Sequence, residues 1–461
     1  MSRPLQQMII GKLAVRNERP FDSTIWSSFK DSEWSQALDW LDLSGLALYF
    51  WEKMNMIDAR KYLPALVQAR LLRCYEENCL RIESIRKEAA ALNKMFDGAG
   101  IIYAVLKGFT LVPDYCPDPA LRTQYDHDYL IRPDSLARAK SLLQESGYIP
   151  KITGESYQTI YVRPVPEAIP SRPLARLYSA GLERPVELHI ALWDPAEEKI
   201  NIPLPEDFLN RLQKRTWQGF EYLALSDEDV LIFQVLHAFR HILHNWCRLS
   251  TFLEVSHFLW RRASDTDFWL RFRDRSANLR WVPEASAAVF RIAQNLFGGR
   301  IPTNLNPQLD PKFSRVLDLW IKRYGMPGAL ANFRNSKNSL FLHREFVIDR
   351  SAWADVWRRR LFPLRRPHHL PKVLANHQAH CVGKKWTQCL HGLQRIQFHA
   401  FSTACFAWEY PRWQLLRRVP TFNGPKTGRC IERTVDRLDR NSRWSPKSAA
   451  TQFNDTPGFK D

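Results

Sequence analysis

One stretch constrains this 461-residue chain more than any other: IIYAVLKGFTLVPDYCPDPALRTQYDHDYLIRP, residues 101–133. It opens with an apolar run, Ile101–Leu106, short enough for a buried strand. Lys107-Gly108 ends the run, and glycine permits a tight turn. A loop of prolines and aspartates follows, then Arg122. Asp126-His127-Asp128 leads into a second apolar run, Tyr129–Ile131. Residues two apart on a strand share a face. Asp126 and Asp128 therefore project side by side. Two carboxylates so placed repel each other in a core, yet suit a divalent cation carrying phosphates.

A third carboxylate fits the same plan. Val186-Glu187-Leu188-His189-Ile190 alternates apolar and polar, the pattern of a half-buried strand. Val186, Leu188 and Ile190 face the core. Glu187 and His189 face the side where a neighbouring strand presents the aspartates.

These residues resemble the bacterial uncharacterised nucleotidyltransferase family, within the polymerase-beta-like nucleotidyltransferase superfamily. The resemblance is carried by Leu106-Lys107-Gly108, Tyr115, Arg122, Asp126-His127-Asp128, Gly147-Tyr148 and Glu187-Leu188-His189. It is tightest over residues 100–195. It implies an α+β fold, a small mixed sheet of nucleotidyltransferase type with flanking helices, set between helical lobes. It also implies transfer of a nucleotidyl group from a nucleoside triphosphate, with Mg2+ or Mn2+, to an unidentified acceptor: a protein, a small molecule or a sugar. Asp126, Asp128 and Glu187 become the catalytic and metal-holding residues. Lys107, Gly108, Thr110 and Arg122 become the nucleotide-binding set. Better-known members carry Gly-Ser in the first turn, whereas this chain has Lys107-Gly108-Phe109-Thr110. Either Lys107 or Thr110 takes the serine's role, or nucleotide binding is altered or lost.

A non-catalytic nucleotide-sensing or interaction module that keeps the fold is the alternative. A third reading is a nucleic-acid-binding protein acting through a basic tail. The net charge is +18, and from Ser351 onward 20 Lys and Arg stand against 7 Asp and Glu. Trp386, Trp408, Trp413 and Trp444 interleave with those charges and could stack bases. Charge asymmetry alone is weak evidence of a partner, so nucleic acid is not favoured.

The chain divides by pattern into residues 1–97, a helical lobe; 98–200, the αβ core; 201–350, a second helical lobe; and 351–461, a basic region disordered at its end. Residues 1–20 show no clear period and read as a loose arm. Leu63 to Leu92 form the stripe of one long helix. Tyr157–Val162 reads as a third strand, and the proline-rich segment 164–184 as a loop. Ser226-Asp227-Glu228-Asp229 caps a helix. His237, His241 and His244 then share one face, read as packing or cleft lining rather than a metal site, with His189, His237 and His241 as candidate substrate contacts. Cys247 could join them only if that helix continues. His377, His380, Cys381, Cys389 and His391 have no zinc spacing. Phe362-Pro363 marks an exit from the globular body, and Phe398, Phe401, Cys405 and Trp408 a packed helical face beyond it. No membrane-length apolar run and no secretory leader appear, and eight scattered cysteines without a Cys-x-x-Cys pair predict reduced thiols in a cytoplasmic protein.

Overall fold

The structure, a computed structural model, describes residues 3–16, 21–152, 158–163, 177–180, 184–203, 205–300, 309–333, 336–363 and 384–418. Two compact units are present, Met1–Phe406 and Ala407–Asp461. The first carries every element of the site.

The chain begins with helices α1 (Arg3–Leu13), α2 (Ser23–Ser27), α3 (Asp31–Ser44), α4 (Ala47–Met56) and the long α5 (Ala65–Gly98). The loose-arm expectation for residues 1–20 is corrected by α1, which buries Leu5, Ile9 and Leu13. Those three fall four apart, one stripe of a helix. Their signal is diluted in sequence because the helix is short and polar between them. Asp22 caps α2 by accepting from the Thr24 amide.

Then come β1 (Tyr103–Leu106), β2 (His127–Ile131), α6 (Leu136–Glu145), β3 (Ile149–Ile152), β4 (Gln158–Val162), β5 (Val186–His189), the short α7 (Pro195–Glu198), β6 (Gln213–Trp217) and β7 (Phe220–Ala224). These strands make one sheet in the order β3-β4-β5-β2-β1-β7-β6. β2 runs parallel to β5 and β1 parallel to β7, and the remaining pairs are antiparallel. This is the mixed sheet of an α+β fold. One face rests on Ile85, Leu92 and Phe96 of α5 and on Ala139 and Leu143 of α6. Tyr103, Val105, Tyr129, Val186 and Leu188 supply that face.

The sheet does not end near residue 200, where the sequence reading placed the next helical lobe. The β6–β7 hairpin extends it to Ala224. Gln218 and Gly219 connect the two strands with φ of 46° and 77°, the positive pair that a two-residue hairpin turn requires.

The helices that follow are α8 (Asp227–Leu243), α9 (Leu249–Arg261), α10 (Thr266–Ala277), α11 (Val282–Phe297), α12 (Pro311–Trp320), α13 (Met326–Leu330), α14 (Ser339–Phe346), α15 (Arg350–Leu361) and α16 (Lys384–Arg418). Ser226 caps α8 through its hydroxyl on the Asp229 amide. α11 packs on α8 and α9, and α1 packs on α4 and α11. None of the described helices is long and apolar enough to cross a membrane.

Phe362-Pro363 does not close the body, because the first unit runs on to Phe406. Lys337 Nζ donates to the Leu361 carbonyl at 3.2 Å and to Thr403 Oγ1 at 2.8 Å. Phe406 stacks on Phe341 with centroids 4.7 Å apart. Among the described side chains of this helix, Ser402, Phe406 and Trp413 are buried, while Trp408 is 66% exposed. The packed face predicted through Trp408 is thus rotated. Tyr157, His377, His380, Cys381, residues 441–461 with Trp444, and the side chains of Trp386, Cys389 and His391 lie outside the described residues, as does most of segment 164–184.

Candidate active site

The site grows from the end of β1. Tyr103 and Val105 point down to α5, so Leu106 belongs to the opposite face, and the turn that follows brings the Lys107 ammonium to that same face. There the backbone reverses. Lys107 has φ 55° and ψ −154°, and Gly108 has φ 50°. A lysine so placed costs on the order of 1–3 kcal/mol and persists only where its surroundings hold it. The Thr110 amide and hydroxyl both donate to the Lys107 carbonyl, at 2.9 and 2.8 Å. A Cβ on Gly108 would meet the Gln124 side chain at 2.7 Å. Glycine is required by the turn and by this close approach.

β2 and β5 supply the carboxylates. Asp128 and Glu187 are register partners across the parallel pair, as are Leu130 and His189. Lys107 Nζ donates to Asp128 Oδ1 at 2.9 Å. His189 Nε2 stands 3.0 Å from the same oxygen and 3.6 Å from Glu187 Oε2. One potential ligand atom from each of Asp128, Glu187 and His189 lies within 4.8 Å of the others. Alternation sends the intervening residues to α5: His127 meets Glu88 at 3.0 Å, and the Tyr129 hydroxyl donates to Asn93 at 2.9 Å.

The electrostatics follow from burial. Asp128 is only 2% exposed. Burial alone would raise its carboxyl, but Lys107 and His189 override it and hold the group below the usual carboxylate range. Burial likewise opposes the charge on Lys107, yet Asp128, Asp126 and Glu187 together hold the ammonium above its ordinary value. Asp126 sits just before β2, half-buried, with its charge also felt by Arg122. It is not a member of the tight three-residue group.

The remaining predicted residues are distributed around this cluster. Arg122 does not clamp the aspartates: its Nε donates to Glu254 on α9 at 3.0 Å, and Glu254 also accepts from the Tyr49 hydroxyl. Burial depresses His237 and His241 well below the ordinary histidine value, with the Lys107 charge next in effect, so both imidazoles are neutral at pH 7. Their Nε2 atoms are 2.9 Å apart. The three-histidine face divides, because α8 stops at Leu243. His244 is its C-cap and pairs with Glu198. Cys247 is buried beyond the helix and is a free thiol; burial raises it.

Sequence reasoning missed two features. His244, Glu197 and Glu198 form a second group of potential ligand atoms, and the buried His343 Nε2 lies 2.7 Å from the Glu198 carbonyl. A cleft of about 390 Å³ also lies across the Thr110 turn, lined in part by Tyr115, Arg215, Asp227 and Arg262. Its arginines are ion-paired with Asp227 and Asp114. The reactive groups are elsewhere, on the strands. The only advance signal for Glu198 was Asp194-Pro195, a helix cap and first-turn proline.

Two carboxylates and an imidazole converging at this spacing, with Asp126 adjacent, form a donor set that fits a divalent cation. The carboxylate oxygens suit Mg2+ and Mn2+ alike. A family model described as "Uncharacterised nucleotidyltransferase" matches residues 30–298, from the end of the loop before α3 to the residue that caps α11. No curated protein and no solved structure matches the chain.

Proposed function

The chain belongs to the uncharacterised nucleotidyltransferase family, and from that premise we propose that it moves a nucleotidyl group from a nucleoside triphosphate to an acceptor, with Mg2+ or Mn2+ held by Asp128 and Glu187, Asp126 and His189 standing beside them. The observation that carries this reading is the register pairing of Asp128 with Glu187 beside His189, ligand atoms within 4.8 Å. A bound divalent cation would neutralise the triphosphate and polarise its α-phosphorus.

The chain's own residues supply the rest. His189 holds Asp128 through its Oδ1 oxygen. Lys107, already charged and already at Asp128, is placed to redirect its hydrogen bond from Asp128 to a phosphate oxygen. Thr110 fixes the turn that aims Lys107. Glu187 completes the carboxylate set or takes the proton of an acceptor hydroxyl, and the neutral His237–His241 pair offers a lone pair for substrate contact. Positioning and charge stabilisation supply most of the catalysis in phosphoryl and nucleotidyl transfer, so a small cluster suffices.

The test is a thermal-shift screen of the four nucleoside triphosphates with Mg2+ or Mn2+, followed by assay for pyrophosphate release. Metal-dependent stabilisation is expected, with loss of triphosphate affinity in Asp126→Asn/Asp128→Asn. Equal affinity in that double variant overturns the assignment. One observation favours a second reading: Lys107 engages Asp128 directly, at 2.9 Å. A protein that keeps this pair while bound to nucleotide senses the nucleotide without transferring it. Binding without pyrophosphate release selects that reading.

A further inference from the structure

Arg248 stands apart among the arginines around the site. Arg122, Arg215 and Arg262 are each paired with a carboxylate. Arg81 donates to two backbone carbonyls, of Gln124 and Ser179, at 2.9 and 2.8 Å. Arg248 has no carboxylate partner among the described residues. Its hydrogen bond to the Thr123 hydroxyl is a long 3.4 Å, its other side-chain polar neighbour is the neutral Tyr125 hydroxyl, and its Nε is buried with no hydrogen-bond partner among the described residues.

A half-buried guanidinium left this way is costly, because desolvation is not offset by hydrogen bonds. Its orientation is nevertheless fixed. The guanidinium carbon lies 4.7 Å from the centroid of the Tyr125 ring and 5.6 Å from that of Trp246. Such ring contacts hold the guanidinium in place without neutralising its charge. Arg248 is also the N-cap of α9, a 13-residue helix whose positive end adds to the field.

The location joins this group to the carboxylates. Tyr125 precedes Asp126. Trp246 packs edge-on against His241, centroids 5.0 Å apart. The charges of both Lys107 and Arg248 act on His241.

We infer that Arg248, held between Tyr125 and Trp246 at the start of α9, is the polyphosphate-binding residue of the cleft, taking the phosphate oxygens of the triphosphate, and of the pyrophosphate it releases, in a forked hydrogen bond. The inference rests on the nucleotidyl-transfer reading. It adds a residue that lies outside the strand motif and explains why a cation is stored without a counter-ion: the counter-ion is the substrate's polyphosphate. Arginine is required rather than lysine, since a planar fork both stacks on rings and binds two oxygens.

The experiment measures binding of inorganic tripolyphosphate to the full chain by calorimetry, with and without Mn2+, and Mn2+ binding by electron paramagnetic resonance. The wild-type chain is expected to bind tripolyphosphate. Arg248→Gln should weaken it about 10- to 100-fold, the usual effect of losing charge-assisted hydrogen bonds, while Mn2+ binding stays unchanged. Arg248→Lys, which keeps the charge and serves if the glutamine variant does not fold, should still lose affinity about several-fold. Tripolyphosphate affinity equal to wild type in either folded variant overturns the inference and leaves the proposed function standing. A wild-type chain that binds neither tripolyphosphate nor any nucleoside triphosphate with metal overturns both.

Discussion

Lys107 and Asp128 form a buried ion pair, Nζ to Oδ1 at 2.9 Å, that spans the antiparallel β1–β2 ladder at its site end. Leu106 is the register partner of Asp128. The lysine therefore reaches the aspartate from one residue beyond that pairing, where the backbone turns over.

Breaking this pair from one side should cost more than removing it. Asp128→Ala leaves a buried ammonium facing only Asp126 and Glu187, and a cost of about 3–5 kcal/mol is expected. Lys107→Met/Asp128→Ala should recover part of it. Chemical denaturation of the two single variants and the double gives the coupling; additive losses would show that the pair contributes no interaction of its own.

Gly108→Ala should destabilise by about 1–3 kcal/mol, from the positive φ that alanine resists and the approach to Gln124. Gln124→Ala in the same chain should relieve the steric part and leave the conformational part. A Gly108→Ala chain as stable as wild type would mean the turn is free to rearrange.

Leu5→Ala and Ile9→Ala should each cost about 2–5 kcal/mol, the range for truncating a buried aliphatic side chain, because both are fully buried on α1. Thermal unfolding of the full chain decides it. An unmoved melting temperature would return residues 1–13 to the status of an arm.

Stability should fall as the solution is acidified from neutral pH. Burial lowers His343 and His257 to about 4 and also depresses His237 and His241. For a base with a lowered folded value, the unfolded chain binds the extra proton first. Its contribution is complete above the unfolded value near 6.5 and is lost as pH falls through the folded value. For His343, 1% exposed, the effect is about 3 kcal/mol. Melting temperatures recorded from pH 8 to 4 should hold above about pH 7 and drop below it. His343→Gln should flatten part of the drop.

The strands that matter were legible because their chemistry repeats every two residues. Val186, Leu188 and Tyr129 announce a buried face, and Asp128, Glu187 and His189 must then share the other. The hairpin of β6 and β7 was written in Gln218-Gly219 but masked by the exposed, charged residues of Gln213–Trp217. Arg122 was visible as a basic residue near the aspartates; that Glu254, 132 positions later, would claim it is a tertiary fact. Arg248 was invisible for the converse reason. Its interest lies in the carboxylate it lacks, and no local pattern records a missing partner.

The parity of β2 has a consequence for how such a chain can change over time. His127 and Tyr129 lock one face to Glu88 and Asn93, while Asp128 serves the other. A one-residue slip of β2 would turn Asp128 toward α5 and expose the aromatic face, losing the core together with the metal ligand. Drift in strand pairing therefore cannot silence this site while sparing the protein. An inactive descendant can arise by replacing the carboxylates one at a time, and it would be expected to keep the same outline, the same turn at Gly108 and the same histidines with altered residues at positions 128 and 187.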